Sequence, residues 1–241
     1  MGKKESYSEY MFKGTLISFF ASIITGIGGL GTRILLSRAL TPTDYGILYA
    51  VISLFGFFTV FRSFGLEQSL VKFLSEFREN KDFSKFKSSI IISTIIQIVI
   101  GGSISITFFF FSEEIAASFI GNLSAAPIIR IFSIWFLLMV FVNLGKNIFS
   151  GFKDIKRAKT VGISETITIL SILLFIIYLT DLSLEEAALS YLIGCILTIA
   201  WTGFQISNYS DFFSKGKSEI SKKLSKRMIY FSVPLIFSGI A

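Results

Sequence analysis

Two arginines, Arg33 and Arg62, stand inside long apolar runs of this chain. A guanidinium at the centre of a membrane-spanning helix is unfavourable by ~2.5–3.5 kcal/mol, so it faces a wet cavity, a partner or a bound anion, or else its stem carries the charge out to the lipid headgroups. Arg33 falls about one turn from the end of its run and Arg62 about as close to the end of the next. The residues alone leave both readings open. Lys146 and Glu165 stand at matching depths in neighbouring runs, where an ion pair offsets the burial of each charge. That pair is read as structural in preference to an ion-coupling site. Asn143, Gln97 and the many Ser and Thr can bond between helices or back to their own backbone.

Other chemistry has few residues to work with. The chain has no His, which removes imidazole catalysis and most transition-metal sites, and Cys195 is its one cysteine, in an apolar run. Gly26, Gly28 and Gly31 spell the dinucleotide fingerprint G-x-G-x-x-G, but that motif needs a preceding strand and an exposed helix start. Here it lies in mid-run, so the glycines are read as permitting close helix approach or a bend. The sequon Asn122-Leu123-Ser124 lies too near the membrane to matter. No nucleophile–base pair, carboxylate pair, metal cluster or phosphate loop is visible in the sequence. The expectation is a protein that is not an enzyme and carries no cofactor and no metal.

The elements that hold these side chains are membrane helices. The chain has 241 residues, is 52% hydrophobic and 16% charged, and contains 28 Phe; its mean hydropathy is +0.71. Such a composition has too few polar side chains to cover a water-soluble globule. A bilayer core of ~30 Å needs ~20 apolar residues in a helix. Six segments qualify: Gly14 to Leu36, Tyr45 to Gly65, Ser88 to Phe111, Ser124 to Ile148, Thr160 to Thr180 and Ala187 to Ser207. The fold class is therefore all-α and polytopic. Connections rich in Lys and Arg alternate with connections bearing Asp44, Glu113 and Glu114, or Asp181, Glu185 and Glu186. Basic connections stay in the cytoplasm, which places the N-terminus inside. The net charge of +7 is then met by membrane lipids, with no nucleic acid as partner.

Two basic connections are amphipathic. Leu66, Leu70, Phe73, Leu74 and Phe77 recur at helical spacing against Glu67, Lys72, Glu76 and Arg78, and Ile220, Leu224 and Met228 do so against Lys222, Lys223, Lys226 and Arg227. Both are read as helices anchored at the headgroups. From Met228 the chain turns apolar again and reads as stopping inside a seventh helix. That divides it into a six-helix lobe, residues 1–227, and the start of a seventh helix, residues 228–241.

The stretch from Gly28 to Gly46, with Arg38, Leu40, Pro42, Tyr45 and Gly46 in an R-x-L-x-P-x-x-Y-G turn, resembles the first-helix signature of polysaccharide flippases. Phe61 to Lys72 is similar to that family's second-helix exit, and Tyr230 to Gly239 to the opening of its seventh helix. The family is the O-antigen and oligosaccharide-lipid branch of the multidrug/oligosaccharidyl-lipid/polysaccharide exporter superfamily. The resemblance implies two six-helix lobes around a central cavity. It implies a flippase of the cytoplasmic membrane that moves a polyisoprenyl-pyrophosphate-linked oligosaccharide outward by alternating access, for cell-surface polysaccharide, with polysaccharide-assembly proteins as further partners. It gives Arg33 and Arg62 the role of attracting the pyrophosphate, and Arg38, Pro42, Tyr45 and Gly46 that of a structural turn. The competing readings are a drug/cation antiporter, which an acid deep in the first helix would favour, and a membrane glycan polymerase or ligase, which would need a large polar outer loop.

Overall fold

The computed structural model describes residues 7–214 and 221–238, and among these it is all-α. The helices are α1 (Tyr7–Ala39), α2 (Pro42–Ser63), α3 (Leu66–Glu79), α4 (Phe83–Phe110), the short α5 (Ser112–Ile115) running into a π turn (Ala116–Ile120), α6 (Ala125–Gly151), α7 (Ile155–Leu179), α8 (Leu184–Ser207), the short α9 (Ser210–Ser214) and α10 (Lys222–Ser238). Six of them, α1, α2, α4, α6, α7 and α8, are long and apolar enough to cross a bilayer. This is a multi-pass membrane protein. Lys3 and Lys4 of the basic N-terminus, Lys215 and Lys217 of the last basic connection, and Ile220 and Gly239 lie outside the described residues.

The observed helices begin earlier than the apolar runs at one end of the bundle. α4 starts at Phe83 and α7 at Ile155, so Lys85, Lys87, Lys156, Arg157 and Lys159 ride on their first turns. The apolar run measures only the hydrocarbon core, whereas the helix continues through the headgroup layer with its cations reaching outward. This end carries the basic connections; the opposite end carries the acidic ones.

Local chemistry sets the turns. Thr41 caps α2: its hydroxyl oxygen accepts from the Asp44 amide at 3.1 Å and its proton goes to the Asp44 carboxylate at 2.7 Å. Pro42 occupies the first helical position, where a missing N–H goes unnoticed. At the basic end two turns share one design. Lys81 and Lys153 both adopt left-handed backbone, and the following Asp82 and Asp154 cap α4 and α7. The amides of those aspartates reach back to the Phe77 and Phe149 carbonyls, both at 2.9 Å, the six-to-one closure that ends a helix. The Lys85 ammonium, then its backbone amide, holds the Asp82 carboxyl below the usual carboxylate range.

α6 lies at the centre, packed against α2, α3, α4, α7 and α8, while α1 docks mainly on α7 and leans away from α2 beyond their shared turn. Toward the acidic end Phe55, Phe108, Phe132 and Phe136 form an aromatic core between α2, α4 and α6. Toward the basic end α3 is a helix, as its spacing predicts, but it is not a headgroup anchor. Leu66, Leu70, Phe73, Leu74 and Phe77 are buried against α4, α6 and α10. Leu224 and Met228 are buried likewise. The amphipathic stretch after Ser221 and the apolar one after Met228 form the single helix α10, which rests on α3. An amphipathic pattern states that one face must be covered; it does not state whether lipid or protein covers it.

The glycines of α1 divide by face. A side chain at Gly28 would overlap Thr166 Cγ2 of α7, whereas one at Gly29 meets open space. Gly28 thus lets α1 lie close on α7, and α1 runs on through this region as one helix. Gly28→Leu should lower thermal stability in detergent by about 1–3 kcal/mol, the range for overpacking. Gly29→Leu should leave the melting temperature nearly unchanged. Equal melting shifts for the two would show that α1 does not dock through Gly28.

Candidate functional site

Arg62, the penultimate residue of α2, points into the bundle. Its side chain is 1% exposed and does not reach a headgroup. Its Nη1 donates to the Phe136 carbonyl oxygen of α6 at 2.8 Å, and its guanidinium carbon lies 4.8 Å from the centre of the Phe136 ring. The stem lies along Gly101 of α4, where a Cβ would come within 3.1 Å of Arg62 Cγ. Nε has no hydrogen-bond partner. No carboxylate forms a salt bridge with Arg62 among the described residues. Glu67 and Glu165 act on it only through space. A buried cation is thus held by one carbonyl, one ring and distant charge, although an uncompensated buried charge costs several kcal/mol.

Arg33 lies elsewhere. It is exposed on α1, and its charge reaches Tyr49 of α2 and Tyr191 of α8. Tyr49 in turn packs on Tyr45, one turn earlier on α2, ring centres 4.5 Å apart. Arg33 precedes the end of α1 at Ala39 by roughly 9 Å of helix, while Arg62 lies roughly 30 Å along α2 from Pro42. The two arginines are separated by roughly 20 Å of depth, so one diphosphate cannot touch both at once. Arg38 is exposed at the end of α1, beside the Thr41–Pro42 cap.

Lys146 and Glu165 do meet. Lys146 Nζ of α6 lies 3.1 Å from Glu165 Oε2 of α7, with side-chain exposures of 31% and 17%. One turn along α6, Asn143 Nδ2 donates to Glu67 Oε1 of α3 at 3.0 Å. On the far side of Glu165, the Thr168 hydroxyl donates to the Glu165 carbonyl at 3.0 Å and stands 3.5 Å from the Thr198 hydroxyl of α8. The polar groups of α2, α3, α6, α7 and α8 thus form a band across the basic half of the lobe, with Arg62 at one edge.

Sequence reasoning missed two polar contacts. Arg130 of α6 gives Nε to Ser112 Oγ at 2.8 Å and Nη2 to Glu113 Oε1 at 2.7 Å, tying the α4–α6 connection at the acidic end. The visible signal was an Arg near the start of an apolar run preceded by an acidic connection. The sequence places Glu67 on the polar, headgroup-facing side of α3. Its partnership with Asn143 needs the packing of α3 on α6, which spacing does not carry.

The chain resembles known proteins over most of its length. An uncharacterized membrane protein of Methanocaldococcus jannaschii is 26% identical over 242 residues, which cover 95% of this chain and 47% of that protein. Among solved structures, that of a MATE point mutant superposes with a TM-score of 0.81 at 15% identity, covering 98% of this chain and 54% of that one. A transporter of the MOP superfamily from Pyrococcus furiosus gives a TM-score of 0.79 at 15% identity, covering 96% and 52%. The chain therefore spans about half the length of these relatives, and its helices are arranged as in half of such a molecule. The model of the polysaccharide biosynthesis protein family matches residues 11–241, so the chain belongs to that family.

Proposed function

We propose that this lobe serves a flippase that carries a polyisoprenyl-pyrophosphate-linked oligosaccharide across the cell membrane for surface polysaccharide, in a protein of its relatives' length. Arg62 carries the reading: it is a buried cation without an ion pair among the described residues, and a charge kept at such cost is a functional-site marker in a membrane. A planar guanidinium suits a diphosphate, which it grips through two parallel hydrogen bonds. Arg62 and Arg33 then act at successive depths, Arg62 in the basic half and Arg33 in the acidic half. A drug/cation antiporter is disfavoured because residues 12–39 of α1 contain no acid. The functional test is deletion of the gene in its host. Surface polysaccharide should fall to background while the lipid-linked saccharide accumulates in the inner leaflet. Normal surface polysaccharide, or accumulation of unlinked precursors instead, would rule the flippase reading out.

Orientation follows from the basic connections, which resist translocation. The basic end with the N-terminus faces the cytoplasm and the acidic end faces out. In a Cys195→Ala background, a cysteine placed at Ser84 should escape an impermeant maleimide in intact cells and react after permeabilisation. Labelling of intact cells would invert the topology.

A further inference from the structure

The seam between α1 and α7 opens at its basic end into two successive cavities. The shallower, of about 470 Å³, is lined by Lys13 of α1, by Arg78 of α3, and by Lys153 and Lys156 beside Asp154. The deeper, of about 300 Å³, starts a turn further along both helices, between Ser22 and Thr25 of α1, Lys146 and Ser150 of α6, and Lys159 of α7. No carboxylate lines the deeper one. Its hydroxyls are already committed as donors: Ser22 to the Ser18 carbonyl at 2.9 Å, Thr25 to that of Ala21 at 2.9 Å, and Ser150 to that of Lys146 at 2.8 Å. The donors left are the two ammonium groups. Lys146 directs one proton to Glu165. Lys159 is exposed and has neither an ion pair nor a hydrogen bond among the described residues.

The Lys159 ammonium and the protons that Lys146 does not give to Glu165, in a cleft that no carboxylate lines, select a ligand that only accepts hydrogen bonds, which is an anion. Lys159 is one turn inside the start of α7 and Lys146 between one and two turns inside the end of α6, the depth at which lipid phosphates lie. We propose that this cleft takes the phosphate of a phosphorylated lipid headgroup, namely the diphosphate of the lipid-linked saccharide, drawing it from the basic mouth to Lys159 and Lys146. The assignment rests on the flippase reading for the identity of the lipid, though not for the phosphate chemistry. It differs from the Arg62 site in being open to the membrane surface before any helix moves.

The test uses the full-length protein in nanodiscs, with polyisoprenyl diphosphate lacking any sugar as the probe and native mass spectrometry as the readout. Lys159→Gln, which removes the charge, and Ser22→Leu, which fills the cavity, should each weaken probe binding about 10-fold, as for loss of one charge-assisted contact. Lys159→Arg should bind nearly as the parent does. Unchanged affinity in both Lys159→Gln and Ser22→Leu would overturn the site. Displacement of the probe by an equal concentration of phosphatidylglycerol would assign the cleft to bulk anionic lipid and overturn the diphosphate assignment. A protein that binds the probe through Lys159 yet moves no lipid-linked saccharide in liposomes would uphold the phosphate site while removing the flippase reading.

Discussion

Arg62→Met in the full-length protein should raise thermal stability and abolish surface polysaccharide together. Arg62 places a guanidinium in a pocket bounded by the Phe136 ring, the Phe136 carbonyl and Gly101, with no carboxylate in salt-bridge contact among the described residues. A methionine of similar reach keeps the packing and removes the uncompensated charge. Replacing buried ionic groups by apolar ones of like volume is often stabilising by about 1–4 kcal/mol, and a gain within that range is expected in detergent melts. Transport should nevertheless be lost, because on the proposed reading this charge is the one that grips the diphosphate. Arg62→Lys separates charge from shape. The ammonium keeps the positive charge but loses the planar fork that lies over the Phe136 ring, so surface polysaccharide should fall well below the parent level. Full complementation by Arg62→Met would reduce Arg62 to a structural residue. A Met variant that melts lower than the parent would show that Arg62 is compensated by groups not yet identified.

The stability of the Met variant also bears on why this residue was only half legible in the sequence. The apolar run that holds Arg62 is apolar on every face, so its pattern cannot say which face meets α6 and α4. The choice between snorkelling and burial depends on that rotation alone. Lys146 and Glu165 were legible because depth suffices: both lie in neighbouring antiparallel runs, counted from the same end, and the structure joins them. The six spans were legible for the same reason, since hydropathy measures the hydrocarbon layer directly. α3 was legible as a helix but not as a protein-covered one, because Leu70, Phe73 and Phe77 would present the same stripe to lipid. The glycines of α1 show the limit most sharply. Gly28 and Gly29 are adjacent in sequence and alike in composition, yet only Gly28 faces α7.

Neutralising either Lys146 or Glu165 should destabilise the lobe more than neutralising both. The pair joins the central helix α6 to α7, and α7 carries α1, so its loss should loosen the side of the bundle that holds the α1/α7 cleft. Breaking a fully buried pair costs about 3–5 kcal/mol because one charge is left unanswered. With side-chain exposures of 31% and 17%, partial solvation should reduce that to roughly 1–3 kcal/mol for Lys146→Met or Glu165→Gln alone. The double variant should recover part of the loss, giving a coupling free energy of about 1 kcal/mol in a double-mutant cycle. Strict additivity would mean that the two side chains do not act on each other in the membrane. Transport divides the structural role from an ion-coupling one. If the pair ties α6 to α7 without coupling an ion, the double variant should transport more slowly, because Lys146 is lost from the α1/α7 cleft, but the transport that remains should keep an unchanged dependence on the proton and sodium gradients. Loss of that gradient dependence in a double variant that still folds would instead make Glu165 the coupling group, since it is the carboxylate that would have to gain and release the ion.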